Sequence, residues 1–265
     1  MEKKEILEQF KAINGETLLV NLPDGKSWVE IREQNGADDD LLSNRRRAES
    51  LMNFCDFISS ITLRTNYTEN GKLTPEDVAS MPALMKYVIL VNSRIHSLGK
   101  TIGFQYKWPE EVGGYIENYE EDLSQLVFND YHNITDEEII EKPLAIPFYD
   151  NLPTDGYYYI TTSKGKELRY RPMDTKGEKY LIDNMVEGKK NDAIIARGLE
   201  FQDKGQWHKV ATFASFSPKE MNEIRKDIQI NDPEFTGNIL IESSKGHQTY
   251  YNVMGSPGFF YPGEI

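Results

Sequence analysis

Cysteine occurs once in this 265-residue chain, at Cys55, and histidine four times. A single thiol excludes an internal disulfide framework and a cysteine-based metal site within the chain. Cys55 falls inside an apolar helical pattern and reads as a small core residue. His96, His132, His208 and His247 are scattered, with no two at metal-ligand spacing on one helix. Long apolar runs are missing too. The longest, Tyr87 to Val91, is far too short to cross a bilayer. The charged start Met1-Glu2-Lys3-Lys4-Glu5 lacks the apolar core of a secretory signal, so a soluble, cytosolic protein is expected. Basic charge is also in deficit: 30 Lys and Arg against 43 Asp and Glu give a formal net charge of −13. That balance repels phosphate backbones, and neither nucleic acid nor membrane is an expected partner.

Catalytic signatures are equally scarce. Gly165-Lys166 lacks the upstream glycine and following hydroxyl of a phosphate-cradling loop. Gly255-Ser256-Pro257-Gly258 puts proline where a nucleophile elbow needs a free amide. No cofactor is expected.

What the chain does contain is local structural punctuation. Pro23-Asp24-Gly25-Lys26 joins two strands, Thr17 to Leu22 and Ser27 to Arg32, as a hairpin. Apolar residues at Ala48, Leu51, Met52, Cys55, Ile58 and Ile61 predict a helix from Leu41 to about Leu63. Thr74-Pro75-Glu76-Asp77 caps another helix, and Leu84, Val88, Val91, Ile95 and Leu98 mark a buried central helix that stops at Gly99. Ile102 to Trp108 and Tyr115 to Glu120 form a second hairpin. Further hairpins are predicted at Tyr157 to Arg171, Leu199 to Thr212 and Ile239 to Val253, with a helix opened by the Ser217-Pro218-Lys219-Glu220 capping box. Gly177 to Asn184 parallels the start of the first lobe's long helix, Asp192 to Gly198 reads as helical, and a short helix at 2–12 and a capped one at Thr135 to Glu138 complete the list.

Val20, Gly25, Lys26, Leu41, Leu42 and Asn44 recur 140 positions later as Ile160, Gly165, Lys166, Leu181, Ile182 and Asn184. The expectation is an α+β protein of two similar lobes, each with β-hairpins packed on helices, possible products of an internal duplication. The lobes would span 1–127 and 154–265, joined by an acidic, proline-bearing connector at 128–153.

Two features read as contact surfaces. Asp38-Asp39-Asp40 sits at a helix start, where exposed amides and the helix dipole favour negative charge, and Arg45-Arg46-Arg47 follows one turn on, able to pair with it. The tail Phe259-Phe260-Tyr261, among prolines and glycines, either folds back on the second lobe or docks on another chain. The candidates for partner contact are therefore Asp38, Asp39, Asp40, Arg45, Arg46, Phe259, Phe260 and Tyr261. A rival reading makes Asp38 and Asp40, with acids from Glu120 to Asp122, the centre of a metal-dependent hydrolase or nuclease.

Asn35-Gly36-Ala37-Asp38-Asp39-Asp40-Leu41-Leu42-Ser43-Asn44, the helix ending Ser93-Arg94-Ile95-His96-Ser97-Leu98-Gly99, and the close Glu121-Asp122-Leu123 together resemble the T-even-type baseplate hub family of tailed phages. That family opens with acid-acid-acid-Leu-Leu-x-Asn and ends its helix in Arg-Ile-x-Ser-x-Gly. The layout through Phe259-Phe260-Tyr261-Pro262 is similar to homologues in large contractile-tailed phages of Gram-positive hosts. The likeness by motif covers residues 18–125; beyond them it is one of layout. Some relatives carry paired cysteines in the hairpin after the Arg-Ile helix, where this chain has Tyr106, Lys107 and Trp108, so no metal is implied. The resemblance implies a non-enzymatic viral protein that builds the tail baseplate by binding other tail proteins or further copies of itself. It implies residence in the host cytoplasm during assembly and leaves open a place in the virion.

Overall fold

A computed structural model describes residues 16–127, 149, 151–184 and 191–261. The helices expected at 2–12 and Thr135 to Glu138, and Pro262, lie outside them. The described residues form an α+β fold of eight helices and eleven strands in four small antiparallel sheets.

The first hairpin forms where its turn chemistry places it. The Asp24 carboxylate accepts from the amides of Lys26 and Ser27 and from the Ser27 hydroxyl, and Gly25 takes φ 64°. Strands β1 (Thr17–Asn21) and β2 (Trp28–Arg32) pair with Val20 opposite Val29. The long helix expected from Leu41 to Leu63 breaks into three: α1 (Gly36–Leu42), α2 (Arg45–Ala48) and α3 (Met52–Ile61). Two residues cause the breaks. The Asn44 side chain accepts from the Arg47 amide and starts a new helix, and Leu51 adopts φ 59°, a left-handed conformation no helix continues through. The predicted helix end is itself a strand, β3 (Thr62–Thr65), added to β2.

Helix α4 (Pro75–Ser80) carries the expected capping box, Thr74 with Asp77. Helix α5 (Ala83–Leu98) is the central helix and ends at Gly99, φ 84°. Strands β4 (Thr101–Lys107) and β5 (Ile116–Asp122) follow as a hairpin. This lobe's core brings Leu22 and Ile31 against Phe57, Ile58, Val88 and Ile89, all fully buried.

The second lobe lays a four-stranded sheet on one long helix. Its strands β6 (Tyr158–Thr161), β7 (Glu167–Tyr170), β8 (Glu200–Asp203) and β9 (Gln206–Lys209) pair in chain order. Helices α6 (Thr175–Asn184) and α7 (Asp192–Ala196) fall between β7 and β8, and α8 (Pro218–Asn231) covers one sheet face. Tyr158, Leu168 and Tyr170 from the sheet meet Ile224 and Ile228 from α8 in a separate core.

The boundary expected at 154–265 requires correction. The last hairpin, β10 (Asn238–Glu242) with β11 (Gln248–Asn252), returns to the first lobe. Ile239, Ile241, Val253 and Phe259 are buried in the first core, and Tyr251 stacks on Phe104 with centroids 4.1 Å apart. The hairpin's apolar face finds its cover on the β4–β5 hairpin, not on α8, so the described residues between 157 and 232 form a lobe inserted into the first. The 140-residue repeat is likewise turn chemistry in part. Gly25 and Gly165 each donate an amide to the residue three before, with positive φ, and Gly246 of the last hairpin does the same. Its helical positions diverge: Leu42 is buried, whereas Ile182 is 58% exposed.

The lobes meet through buried polar groups. The Lys86 ammonium on α5 donates to Thr175 Oγ1 at 2.6 Å and Glu178 Oε2 at 2.5 Å, and the Tyr87 hydroxyl donates to Glu178 Oε1. Cys55 is buried beside Thr175, and burial pushes its thiol pKa up.

Acid pH should loosen the second lobe through Glu220. This buried carboxylate accepts from the Ser217 amide and hydroxyl, both at 2.8 Å, and pairs with Lys166 at 3.1 Å. These contacts, Ser217 first, hold it at about 2 instead of the ordinary 4.5. A depressed carboxylate stabilises above its unfolded pKa and ceases to as pH falls through the folded value. Calorimetric melting of Glu220→Gln is expected to trail the unsubstituted protein most above pH 4.5, with the gap closing toward pH 2.

Candidate functional site

The candidate contact residues converge on the corner made by α1, α2 and the C-terminal tail, though three of them are consumed by the fold. Asp38 is the first. It stands at the third position of α1, where Asn35 caps the helix, and its carboxylate accepts from the Asn35 amide in return. Arg32, at the end of β2, grips it with both guanidinium arms, Nη1 to Oδ2 at 2.7 Å and Nη2 to Oδ1 at 2.9 Å. The Ser60 hydroxyl on α3 donates to Oδ1 as well. Asp38 is therefore 0% exposed and cannot contact a partner directly. Burial alone would raise its pKa, but the hydrogen bonds from Arg32, the Asn35 amide and Ser60 outweigh it and hold the carboxyl below its usual value.

Asp39 and Asp40 point the other way and are exposed, which spoils the acidic triplet as a metal cradle. Both Asp38 oxygens already have donors, and Asp122 is committed to Lys100 at 2.7 Å and the Ser124 amide, with its carboxyl at about 2. Among the described residues no three His, Cys, Asp or Glu side chains gather to hold an ion.

The pairing expected between the arginine triplet and these acids does not form. Arg47 turns inward to Asp56 on α3, with Nε at 2.5 Å from Oδ2, while Arg45 and Arg46 stay exposed. The break at Asn44 interrupts the continuous helical spacing that would have set the arginines one turn from the acids.

The tail closes the corner. Phe259 is fully buried in the first core, so it is an anchor and not a contact. The Phe260 ring packs edge-on against Phe57 at 5.7 Å and tilted against Phe54 at 6.1 Å, both on α3. The Tyr261 hydroxyl donates to the Asp39 carbonyl at 3.4 Å. The tail thus folds back on the first lobe, neither on the second nor outward. Asp39, Asp40, Arg45, Arg46 and part of Tyr261 remain open to solvent at this corner.

The residues behind the resemblance knit the corner to the central helix. Arg94 is buried and donates to the carbonyls of Gly99 at 2.6 Å and Thr101 at 3.3 Å, closing the C-terminus of α5. Ser97 Oγ accepts from the Gln34 amide at 2.9 Å, next to the α1 cap.

A second, half-buried surface had no motif to announce it. On the outer face of the second lobe's sheet, the Arg169 guanidinium lies between Tyr157 and Trp207, 4.0 and 4.5 Å from their ring centroids, and pairs with Glu200. Alternation in Glu167 to Arg171 predicts which residues point outward, but not that three strands would bring these rings together. Compared with protein-family models, curated proteins and solved structures, the chain matches none.

Proposed function

We propose that this protein is a non-enzymatic component of a contractile phage tail baseplate, or an assembly factor for one, and acts by binding other tail proteins. The observation that carries the reading is the α1–α2 corner. There the fold spends Asp38, Arg94 and Ser97 on a rigid joint and leaves two acids and two arginines exposed at the surface, with no ion pair among the described residues. The order of motifs resembling the baseplate hub family supports the same reading. Tyr, Trp and Arg, the residue types that dominate protein interfaces, are also held rigidly on the sheet of the second lobe.

The test is co-purification with the tail proteins of the same genome. The variant Asp39→Ala/Asp40→Ala/Arg45→Ala/Arg46→Ala should melt within about 0.5 kcal/mol of the original, because exposed charges contribute little to folding. It should nevertheless lose at least tenfold in partner affinity. Undiminished capture of every tail protein would clear the corner of that role. Mass spectrometry of purified particles then separates a resident subunit from a departing assembly factor.

A further inference from the structure

Beside β9 the second lobe opens a cavity of about 620 Å³, walled by Phe201, Val210 and Phe216 and rimmed by Lys166, Asp203 and Lys209. Its size is that of a binding pocket for a large side chain or small ligand. Lys166 is a fixed post in its wall: Nζ donates to the Ser215 carbonyl at 2.5 Å, pairs with Glu220 and lies 4.1 Å from the Phe216 centroid. Lys209 has no ion pair or side-chain hydrogen bond among the described residues, and neither does Lys204 at the β8–β9 turn.

Among the described residues strand β9 is an edge of its sheet. The Val210 amide donates to the Leu199 carbonyl, so by alternation the backbone groups of Gln206, His208 and Val210 face β8. Those of Trp207 and Lys209 face outward. The inner-face side chains of β9 lie on the cavity side, since His208 sits opposite Phe201. Edges of this kind accept an added strand, and pockets for its alternate side chains supply selectivity.

Charge selects the occupant. From Lys204 to Phe216, the edge strand with its turn and the segment after it, the chain carries two lysines and no acid, whereas 43 acids in 265 residues would place about two in such a stretch; the two acids that line the cavity, Glu167 and Asp203, stand on β7 and β8, inward of the edge. Two copies joined edge to edge would set Lys204 and Lys209 against their own kind, which disfavours self-pairing. An acidic strand meets the opposite situation.

We propose that the β9 edge takes an extended acidic segment of a partner protein as a fifth strand, with one large apolar side chain of that segment filling the cavity. The inference stands on the second lobe alone and does not depend on the tail-assembly reading. The probe is the synthetic peptide Asp-Glu-Val-Thr-Phe-Thr-Val-Glu-Asp, titrated into the ¹⁵N-labelled full chain. Three counterparts replace its acids by lysine, its Phe by Ala, or both. The acidic Phe peptide should shift the Trp207 and Lys209 amides and bind at least tenfold more tightly than the lysine peptide. Lys209→Pro removes one outward donor and the charge at an edge position that tolerates proline, and should weaken binding at least tenfold. Phe201→Ser should weaken the Phe peptide and leave the Ala peptide unchanged. Should Lys209→Pro disturb the lobe, Lys209→Glu carries the test by narrowing or reversing the preference for acid. Equal binding of acidic and basic peptides, shifts confined to other strands, or absence of binding overturns the proposal. So does concentration-dependent dimerisation abolished by Lys209→Pro, which would give the edge to a second copy.

Discussion

Asp38→Ala should destabilise the protein by about 3 kcal/mol, whereas Asp39→Ala and Asp40→Ala, one and two positions on, should each stay within about 0.5 kcal/mol. The three carboxylates are chemically identical, so the contrast isolates environment. Asp38 is fully buried and accepts from Arg32, Ser60 and the Asn35 amide. Its removal strands a guanidinium whose side chain is only 15% exposed and opens the capping box of α1, taking the acceptor from the Asn35 amide. The value sits at the lower end of the range for broken buried pairs because water reaches part of Arg32. Arg32→Met should cost as much, since it leaves the buried charge on the acid. Urea melts of the four single variants decide the matter. A loss below about 1 kcal/mol for Asp38→Ala would mean that the pair contributes little. Partner affinity should follow the opposite order, with Asp39→Ala and Asp40→Ala the more harmful.

That contrast marks where the sequence is legible. Signals completed within four or five residues appear where they are expected: Asp24 and Gly25 make the first turn, Thr74 with Asp77 and Ser217 with Glu220 cap their helices, and Gly99 ends α5. Each is a local contest between a side chain and its own backbone, and the residues alone decide it. The long helix fails because apolar spacing continues undisturbed across Asn44 and Leu51, while the backbone does not. The role of Asp38 fails for a related reason. A helix-start acid stabilises its helix exposed or buried, and only the approach of Arg32 from β2 and Ser60 from α3 determines which. The return of the last hairpin to the first lobe is a matter of what covers an apolar face. Alternation in Asn238 to Glu242 defines that face without naming its cover.

Arg197 is the position where a single substitution should be costliest. It follows α7 and its side chain is fully buried, with Nε on Asp232 Oδ2 at 2.5 Å and Nη1 on the Ala193 carbonyl at 3.0 Å. Asp232 also accepts from the Met173 amide at 2.9 Å and the Tyr149 hydroxyl at 3.4 Å, so the pair holds the end of α8 to the lobe junction. Arg197→Met is expected to cost about 3–5 kcal/mol near pH 7, because the carboxylate keeps its burial and loses its counter-charge. The pH dependence identifies the cause. Burial already raises the Asp232 pKa above its ordinary value, with Arg197 as the leading opposing influence. Without Arg197 the pKa climbs further. A raised carboxyl supports folding below its unfolded pKa and loses that support as pH rises through the folded one. The stability gap between Arg197→Met and the original should therefore be widest at pH 7 and shrink toward pH 4, where Asp232 can fold with its proton on. The double variant Arg197→Met/Asp232→Asn should regain part of the loss at pH 7, since an amide carries no charge to strand. Chemical denaturation at the two pH values measures all of this. A gap of equal width at both would assign the loss to packing of the arginine stem and not to the charge it neutralises.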